Sequence, residues 1–232
     1  MHFILNIDTS SDTAHVCISN EAVVVNAAVN TQQKDHAAWL HTAINEMLQQ
    51  TGIGTHQLKA VAVVAGPGSY TGLRVGMAAA KGFCFANDLP LILIPTLALM
   101  ARGTIKQISN LNNENAVVKK KLICPMIDAR RMEVYTALYT ETMLPVLEPC
   151  AMVLSKNSFA DWEATYDIIF TGNGSIKYKN LFAEKIDCVL CDAYDVNDLV
   201  LYSYQSYLQS NFTDVVYSEP SYIKEFYTYQ KK

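Results

Sequence analysis

The pattern of apolar and polar residues predicts the same order of strands and helices twice. In the first half, three apolar runs joined by short polar turns predict an antiparallel meander, because closely joined strands pair in this way. Apolar residues then recur at helical spacing, and glycine or polar positions separate two further strand–helix pairs. The predicted strands are 3–8, 14–19, 22–30, 60–65 and 91–94, and the predicted helices are 37–51, 69–87 and 96–103.

The second half repeats this β-β-β-α-β-α order without visible repetition of sequence. Its predicted strands are 122–128, 133–139, 146–154 and 167–171, and its predicted helices are 157–164, 175–182 and 195–209. This order predicts an α/β fold of two ribonuclease-H-like (actin-like ATPase) lobes, each with a mixed sheet. The polar stretch 106–121 predicts the boundary between an N-terminal lobe, 1–104, and a C-terminal lobe, 105–232, whose last segment packs back on the N-terminal lobe.

Composition argues against several classes of function. The net charge of −4 argues against autonomous binding of a polyanion. Six cysteines scattered through apolar segments are typical of reduced thiols rather than of a disulfide framework. No apolar run reaches the roughly 18 residues that span a bilayer, and the first strand begins without a basic segment or cleavage site. We therefore expect a cytoplasmic protein without a secretory signal or a membrane partner.

The charged residues are distributed unevenly along the chain. Residues 1–104 hold only eleven Asp, Glu, Lys and Arg, whereas the rest of the chain holds twenty-nine. A half with so few charges has either an unusually deep core or an apolar face that a partner covers. The distribution indicates a protein interface in the first half.

A glycine-rich turn at 66–68 joins the buried strand to the second helix, which Ser69 or Thr71 can cap. A strand, a glycine turn and a helix N-terminus form a common anion-binding geometry, but a tight strand–helix connection explains the same pattern. A Walker A loop is excluded, because no lysine follows the glycines before position 81. The dinucleotide fingerprint is excluded as well, because the spacing is one residue too wide between its glycines, which are Gly66, Gly68 and Gly72.

Polar residues follow the first strand of each half. In nucleotide-binding proteins of this fold, the turn after the first strand approaches the phosphates, and a later glycine turn closes on adenosine. We expect the two turns to face each other across an interlobe cleft, although no acid–base pair and no complete glycine loop can be assembled around them. The candidates for facing a nucleotide are Asp8, Thr9, Ser10, Asp128, Arg130, Gly172 and Gly174.

Other candidate sites give weaker signals. Cys188 and Cys191 have redox or zinc spacing, but no second pair accompanies them and the residues between them suit a core strand. His36 and His41 lie five apart on the first helix, whereas a metal pair requires a spacing of three or four. No His follows position 56, so the second half lacks the commonest general base. We predict neither a catalytic residue nor a metal site.

The second helix combines an unusual cation with little side-chain bulk. A cation in the first turn opposes the helix macrodipole by about 0.3–1 kcal/mol. Arg74 therefore either serves an anion or carboxylate near the turn or extends over the surface. The glycines and alanines of this helix permit close approach of another element, which is either its own sheet or a helix of a partner.

Four segments resemble the TsaB (YeaZ) family, in the same order and over nearly the whole chain. They are Ile7–Ser10, Gly66–Gly76 (GPGSYTGLRVG), Ile127–Arg130 with Glu133–Tyr135, and Pro220–Lys224. The glycine segment is highly specific, whereas each of the others is weak alone. In the last segment, Ile-Lys stands where the family usually has Leu-Arg. The resemblance implies a bacterial cytoplasmic protein needed for N6-threonylcarbamoyladenosine, a modification of the tRNA adenosine beside the anticodon.

The resemblance also implies partners. TsaB-like proteins are inactive paralogues of the catalytic subunit TsaD, with which they pair through the N-terminal lobe, and the ATPase TsaE joins the assembly. The tRNA is then reached only through the complex, and a homodimer through the same face is expected when the chain is alone. This chain requires no cofactor of its own, whereas ATP or ADP is expected at the interface with the partner. The predicted interface residues are Leu40, Ile44, Met47, Thr71, Arg74, Val75, Gly76 and Ala79, the first three of which are also candidates for the core.

Two enzymatic alternatives remain beside this interpretation. TsaD-like sequences carry a metal-binding His-x-x-x-His on the helix that corresponds to 94–101, and this segment contains no His, Asp, Glu or Cys. The sequence therefore argues against a metallopeptidase. An ATP-dependent phosphotransferase or ATPase that uses the interlobe cleft stays open as the second interpretation.

Overall fold

A computed structural model describes residues 1–32, 35–109, 120–182, 189–190 and 193–223. The first sheet contains β1 (Phe3–Asp8), β2 (Ala14–Asn20), β3 (Val23–Asn30), β4 (Leu58–Gly66) and β5 (Leu91–Pro95), with helices α1 (His36–Thr51), α2 (Tyr70–Asn87) and α3 (Thr96–Ser109). The second contains β6 (Lys121–Asp128), β7 (Glu133–Thr140), β8 (Pro145–Val153), β9 (Asp167–Thr171) and β10 (Val189–Leu190), with helices α4 (Ala160–Glu163), α5 (Asn173–Phe182) and α6 (Val196–Leu208).

Both sheets have the same topology. The strand order is β3-β2-β1-β4-β5 in the first and, read from the equivalent edge, β8-β7-β6-β9-β10 in the second. The three consecutive strands of each half pair antiparallel. The fourth strand of each half pairs parallel with the first, and the fifth pairs parallel with the fourth. The predicted fold class is confirmed: an α/β protein with two lobes, each built on a mixed ribonuclease-H-like sheet.

Local sequence signals explain where several helices begin and end. Ser69 caps α2, because its hydroxyl accepts a hydrogen bond from the backbone N–H of Gly72 at 3.3 Å. Gly52 ends α1 in the left-handed conformation, with a φ of 67°. At the start of α6, Asp195 and Asp198 form a reciprocal capping box.

Two predicted helix boundaries are wrong. Gly103 does not end the third helix, which continues to Ser109, and the predicted lobe boundary at 104/105 falls inside it. A glycine is required there for packing, since a Cβ at Gly103 would overlap the carbonyl oxygen of Ala193. The helix predicted at 157–164 is a single turn, Ala160–Glu163. Most of the predicted polar boundary, residues 110–119, and both Cys188 and Cys191 lie outside the described residues.

The last helix of each half packs on the sheet of the other half. α1 and α2 cover one face of the first sheet, and α6 covers the other face through Leu199 and several tyrosines. α3 packs on β6, β7 and β9 of the second sheet and also contacts β4 and β5 of the first. The opposite face of the second sheet is covered by Phe159 and Tyr178. The helices α3 and α6 therefore lie between the two sheets and join the lobes.

Polar side chains join α3 to α6. Lys106 donates to the Asp198 carboxylate at 2.8 Å, and Arg102 donates to Gln205 while stacking over the ring of Tyr202. None of the helices in the described part of the chain is long and apolar enough to cross a membrane.

Candidate functional site

A cleft of about 1580 Å³ lies between the lobes. Its walls are the segments that follow β1, β4 and β5 in the first lobe and β6 and β9 in the second. In open α/β sheets the carboxyl edge of parallel strands is the usual place for a ligand, because helix N-termini leave backbone donors unpaired there. Four of the nucleotide-facing candidates line this cleft, namely Ser10, Asp128, Arg130 and Gly172.

Asp8 and Thr9 do not line the cleft, contrary to the prediction, and are only 1% and 0% exposed. Asp8 Oδ1 accepts hydrogen bonds from the backbone N–H and the hydroxyl of Ser10, at 2.9 and 2.7 Å. The Thr9 hydroxyl donates to the carbonyl oxygen of Gly72 at 2.7 Å, and the N–H of Ser69 donates to that of Ser10 at 2.7 Å. The turn after β1 is therefore bonded to the N-terminus of α2.

The glycines of the 66–76 segment permit this close approach. A Cβ at Gly68 would overlap the carbonyl oxygen of Ser10, and a Cβ at Gly72 would overlap that of Thr9. Gly66 has a φ of 113°, which residues with a side chain rarely adopt. The turn is therefore packed against the chain's own backbone, and the tight connection explains its glycines better than an open phosphate cradle.

Tyr194 occupies the remaining side of the Asp8 carboxylate. Its hydroxyl donates to Asp8 Oδ2 at 2.7 Å from the segment that precedes α6. Burial, together with the negative charge of Asp8, raises the pKa of Tyr194 well above its ordinary value, so the phenol remains a hydrogen-bond donor. The Asp8 carboxylate thus has internal partners on both oxygens.

The second lobe holds its strand-end carboxylate differently. Asp128 Oδ1 accepts from Lys177 Nζ at 2.6 Å and from the backbone N–H of Arg130 at 2.7 Å. The side chain of Asp128 is 43% exposed, whereas that of Lys177 is only 16% exposed. Arg130 and the following Arg131 both have left-handed backbone, with φ of 67° and 49°. Their side chains are exposed, and Arg130 lies at the rim of the cleft.

The two glycines after β9 also make close contacts with a neighbouring strand. Gly172 has a φ of 84°, and its Cβ would overlap the carbonyl oxygen of Met126. A Cβ at Gly174 would lie 3.0 Å from the carbonyl carbon of the same residue. Gly174 is buried and does not line the cleft, contrary to the prediction.

The chemistry that the cleft offers is limited. His36 and Thr96, each 3% exposed, line it with a ring nitrogen and a hydroxyl that lack a hydrogen-bond partner. Within the described ranges, no three His, Cys, Asp or Glu side chains are grouped so that they could hold a metal ion. Both strand-end carboxylates already have partners in this arrangement, because Tyr194 donates to Asp8 and Lys177 pairs with one oxygen of Asp128.

The predicted interface residues divide into a buried and an exposed set. Five of them belong to the interior of the first lobe, and the prediction that a partner contacts them is wrong. Their helical spacing identifies the face that packs on the first sheet, and at Gly76 a Cβ would overlap the hydroxyl of Thr9. The buried residues are Leu40, Ile44, Met47, Gly76 and Ala79.

The exposed set lies on the outer face of α2. We define this outer face as Thr71, Arg74, Ala78, Gly82 and Phe85, which are all exposed and follow one another at intervals of three or four residues. Arg74 is the only charged residue among the five. The Phe85 side chain is 83% exposed, although its ring is among the largest apolar groups of the first lobe. Val75, the remaining predicted interface residue, is half-buried against the core.

Arg74 is held by two aromatic rings rather than by an anion. Its guanidinium lies 4.0 Å from the ring centroid of Tyr70, and its Nε donates to the Tyr222 hydroxyl at 3.0 Å. The hydrogen bond to Tyr222 raises the pKa of Arg74. Neither sequence-based interpretation of Arg74 included this contact, which joins the glycine segment to the C-terminal Pro220–Ile223 segment.

Residues after α6 form a strap, defined here as 210–223, that runs along the first lobe. The N–H of Thr213 donates to the Leu91 carbonyl oxygen, and the N–H of Ser221 donates to that of Ala65. Between these points, Lys81 of α2 donates to the carbonyl oxygens of Val216 and Ser218, both at 2.9 Å. The strap therefore borders α2 along one side.

Sequence reasoning missed four functional candidates: Tyr194, Lys177, Phe85 and the strap. Tyr194 and Lys177 meet their carboxylates only through tertiary contacts, so no local pattern indicated them. Phe85 had a usable signal, because it falls on the helix face opposite Leu73, Met77 and Ala80, which are buried.

The topology and the interlobe cleft define a two-lobed protein of the actin-like ATPase fold. A family model described as TsaD, tRNA N6-adenosine threonylcarbamoyltransferase, matches residues 24–228. The chain therefore belongs to this family, and within it to the TsaB (YeaZ) group. The solved structure of YeaZ from Pseudomonas aeruginosa superimposes with a TM-score of 0.74 and 21% identity, covering 96% of this chain and 100% of that one.

Two relatives show how far the sequence similarity extends. The Bacillus subtilis protein named tRNA threonylcarbamoyladenosine biosynthesis protein TsaB is 28% identical over 188 residues, which is 78% of this chain and 75% of the relative. The Haemophilus influenzae protein of the same name is 35% identical over 134 residues. That match covers 57% of this chain and 51% of the relative, so the chain spans about half the length of the latter protein.

Proposed function

We propose that this chain is a non-catalytic partner subunit of a TsaD-like enzyme and takes part in forming N6-threonylcarbamoyladenosine beside the anticodon of tRNAs. The names of its relatives support the pathway. The partner role is supported chiefly by the outer face of α2, which presents Phe85 with 83% of its surface in water. A large exposed ring on a helix face with a single charged residue suits a surface that a partner covers.

The contrast between this face and the cleft favours pairing over catalysis. The two strand-end carboxylates, Asp8 and Asp128, have internal partners, whereas the outer face of α2 leaves Ala78 and Phe85 unengaged by the core. We propose that the TsaD-like subunit covers this face and is stabilised and activated by it. A TsaE-like ATPase joins the same assembly, ATP or ADP binds only where the subunits meet, and tRNA is bound only through the complex. When alone, the chain forms a homodimer through the same face.

Co-purification tests the proposal. The chain and the TsaD-like protein of the same genome, mixed at micromolar concentration, are expected to elute as a heterodimer in size-exclusion chromatography with light scattering. Phe85→Glu should weaken pairing at least 10-fold, because it replaces the large apolar ring of the covered face by a charge. Leu144→Glu, at a position 64% exposed in the second lobe, serves as the control. Separate elution of the two wild-type chains would contradict the proposal.

The ATPase or phosphotransferase interpretation is tested separately. Calorimetry of the isolated chain with ATP and Mg²⁺ should show no binding at micromolar concentration, because Tyr194 and Lys177 engage the carboxylates that would receive the metal. Micromolar binding with turnover would favour the enzyme instead.

A further inference from the structure

Three strongly exposed apolar side chains lie around Lys81 on the surface of the first lobe. Phe85 is one helical turn after Lys81 on α2, and Lys81 itself reaches the strap at Val216 and Ser218. The exposed fractions are 83% for Phe85, 67% for Val216 and 84% for Tyr217. Two distant parts of the sequence thus place apolar groups beside the same lysine.

The strap is fixed where it presents these residues. Asp214 Oδ1 accepts from the backbone N–H groups of Val216 and Tyr217, at 2.7 and 3.0 Å, and so shapes a tight turn. Lys81 binds the carbonyl oxygens on the far side of the turn. Val215, in between, packs against the core of the first lobe. Val216 and Tyr217 are therefore held at the surface by a hydrogen-bonded turn, which lowers the conformational entropy lost when a partner covers them.

We propose that the strap forms part of the partner-binding surface: Val216 and Tyr217, from the C-terminal half, extend the outer face of α2 that binds the TsaD-like subunit. This inference rests on the function proposed above and adds the residues of a second chain segment to it. The surface is continuous with that face along the Lys81 side, where the strap also reaches Arg74 through Tyr222.

The fit to a TsaD-like chain follows from family membership. The TsaD family model matches residues 24–228, a range that includes both α2 and the strap. A TsaD-like partner is described by the same family model and therefore has segments equivalent to both. Pairing of two related faces places apolar side chains from each chain opposite those of the other, as in the interfaces of symmetric dimers.

Binding measurements with strap variants test the inference. The double variant Val216→Ser/Tyr217→Ser should raise the Kd for the purified TsaD-like subunit about 10-fold or more, since both residues lie in the covered patch. Lys81→Met should give a smaller increase, about 3-fold, because the strap loses its anchor but keeps its side chains. Val153→Ser, at a valine 64% exposed on the second sheet, is the matched control and should leave Kd unchanged. The melting temperature of each variant reports whether it is folded.

The outcomes separate this inference from the proposed function. If the wild type pairs, Phe85→Glu disrupts pairing and the double strap variant binds as the wild type does, the strap is outside the interface and the inference is overturned. The inference is also overturned if the strap variant changes only the self-association of this chain. If the wild type does not pair at all, the proposed function fails, and the inference fails with it.

Discussion

The glycine turn of the first lobe and its counterpart in the second occupy equivalent places in the fold, but their surroundings differ. In the first, the turn after β1 lies against Gly68 and Gly72 so closely that either Cβ would overlap a backbone oxygen. In the second, a Cβ at Gly172 would overlap the carbonyl oxygen of Met126, and a Cβ at Gly174 would lie only 2.9 Å from the Cβ of the same residue. Glycine therefore serves backbone packing in both lobes, and the closest overlap, between a Cβ at Gly72 and the carbonyl oxygen of Thr9, is in the first.

The strand-end carboxylates show the same difference. Asp8 is 1% exposed and accepts from three neutral donors, two on Ser10 and one on Tyr194. The side chain of Asp128 is 43% exposed and is paired with a cation, Lys177. A buried charge depends strongly on each hydrogen bond, whereas a half-exposed ion pair is screened by water. The first lobe should therefore be much less tolerant of substitution around its carboxylate than the second.

Substitution of the glycines should produce the largest difference between the lobes. Gly72→Ala should reduce the free energy of unfolding by about 3 kcal/mol or more, because its Cβ would overlap the backbone of Thr9, which cannot move without breaking the turn. Gly174→Ala should reduce it by about 1–3 kcal/mol, since its nearest contact, 2.9 Å to the Cβ of Met126, is a milder overlap with a side chain. Urea unfolding followed by circular dichroism measures both.

Gly82→Ala is the control for these glycine variants. No atom lies within 4 Å of a Cβ at Gly82, which is in the same helix as Gly72. Alanine there should stabilise the protein by about 0.5–1 kcal/mol through helix propensity. Equal unfolding free energies for Gly72→Ala and Gly82→Ala would show that close packing does not explain the glycines.

Much of the fold was predictable from the sequence, because periodicity and caps act locally. The antiparallel meander, the strand β4, the Ser69 cap of α2 and the end of α1 at Gly52 all depend on residues within a few positions of each other. The end of α3 was not predictable, because Gly103 is required by close packing against the backbone of Ala193, a residue ninety positions away. A glycine that stops a helix and a glycine that admits another backbone look the same in a sequence.

The candidate site was predictable only in outline, for a similar reason. The strand-end positions of Ser10, Asp128 and Arg130 followed from the topology, and they line the cleft. Helical spacing alone could not decide whether Leu40, Ile44 and Met47 face the sheet or a partner, since an apolar stripe serves either purpose. Tyr194 and the strap flank α6, which packs on the sheet of the first lobe. Their contacts with the first lobe depend on this long-range packing, which no local sequence pattern indicates.

Removal of the Tyr194 hydroxyl should have the second-largest effect on the free energy of unfolding. Tyr194→Phe leaves Asp8 Oδ2 without its donor at a site that is 1% exposed, so the free energy of unfolding should fall by about 1.5–3 kcal/mol. Tyr217→Phe, at a tyrosine 84% exposed, should change it by less than about 0.5 kcal/mol. An effect as small as that of the control would mean that water replaces the tyrosine hydroxyl as the hydrogen-bond donor to Asp8.

The pH dependence of this pair of variants gives an independent check. Because the pKa of Tyr194 is raised above its ordinary value of 10.0, the folded state favours the protonated phenol. Its contribution is therefore fully present below about pH 10 and is lost as the pH rises above that value. The difference in stability between wild type and Tyr194→Phe should be constant between about pH 7 and 9 and should shrink above about pH 10. A difference that grows in alkali would contradict the assignment.

The ion pair of the second lobe should give the smallest effect. Lys177→Met keeps the packing of the aliphatic chain and removes the cation from Asp128, so we expect a loss of about 1 kcal/mol or less, reduced further by about 0.5 M salt. Lys179→Met, at an exposed position of the same helix, is the matched control and should be close to neutral. Salt should not alter the effect of Tyr194→Phe to the same extent, because a buried hydrogen bond is screened much less than a partly exposed ion pair. Lys177→Met could instead prove as destabilising as Tyr194→Phe and equally insensitive to salt. The Asp128 carboxylate would then depend on its partner as strongly as the buried Asp8 does, and solvent exposure would not explain the difference between the two lobes.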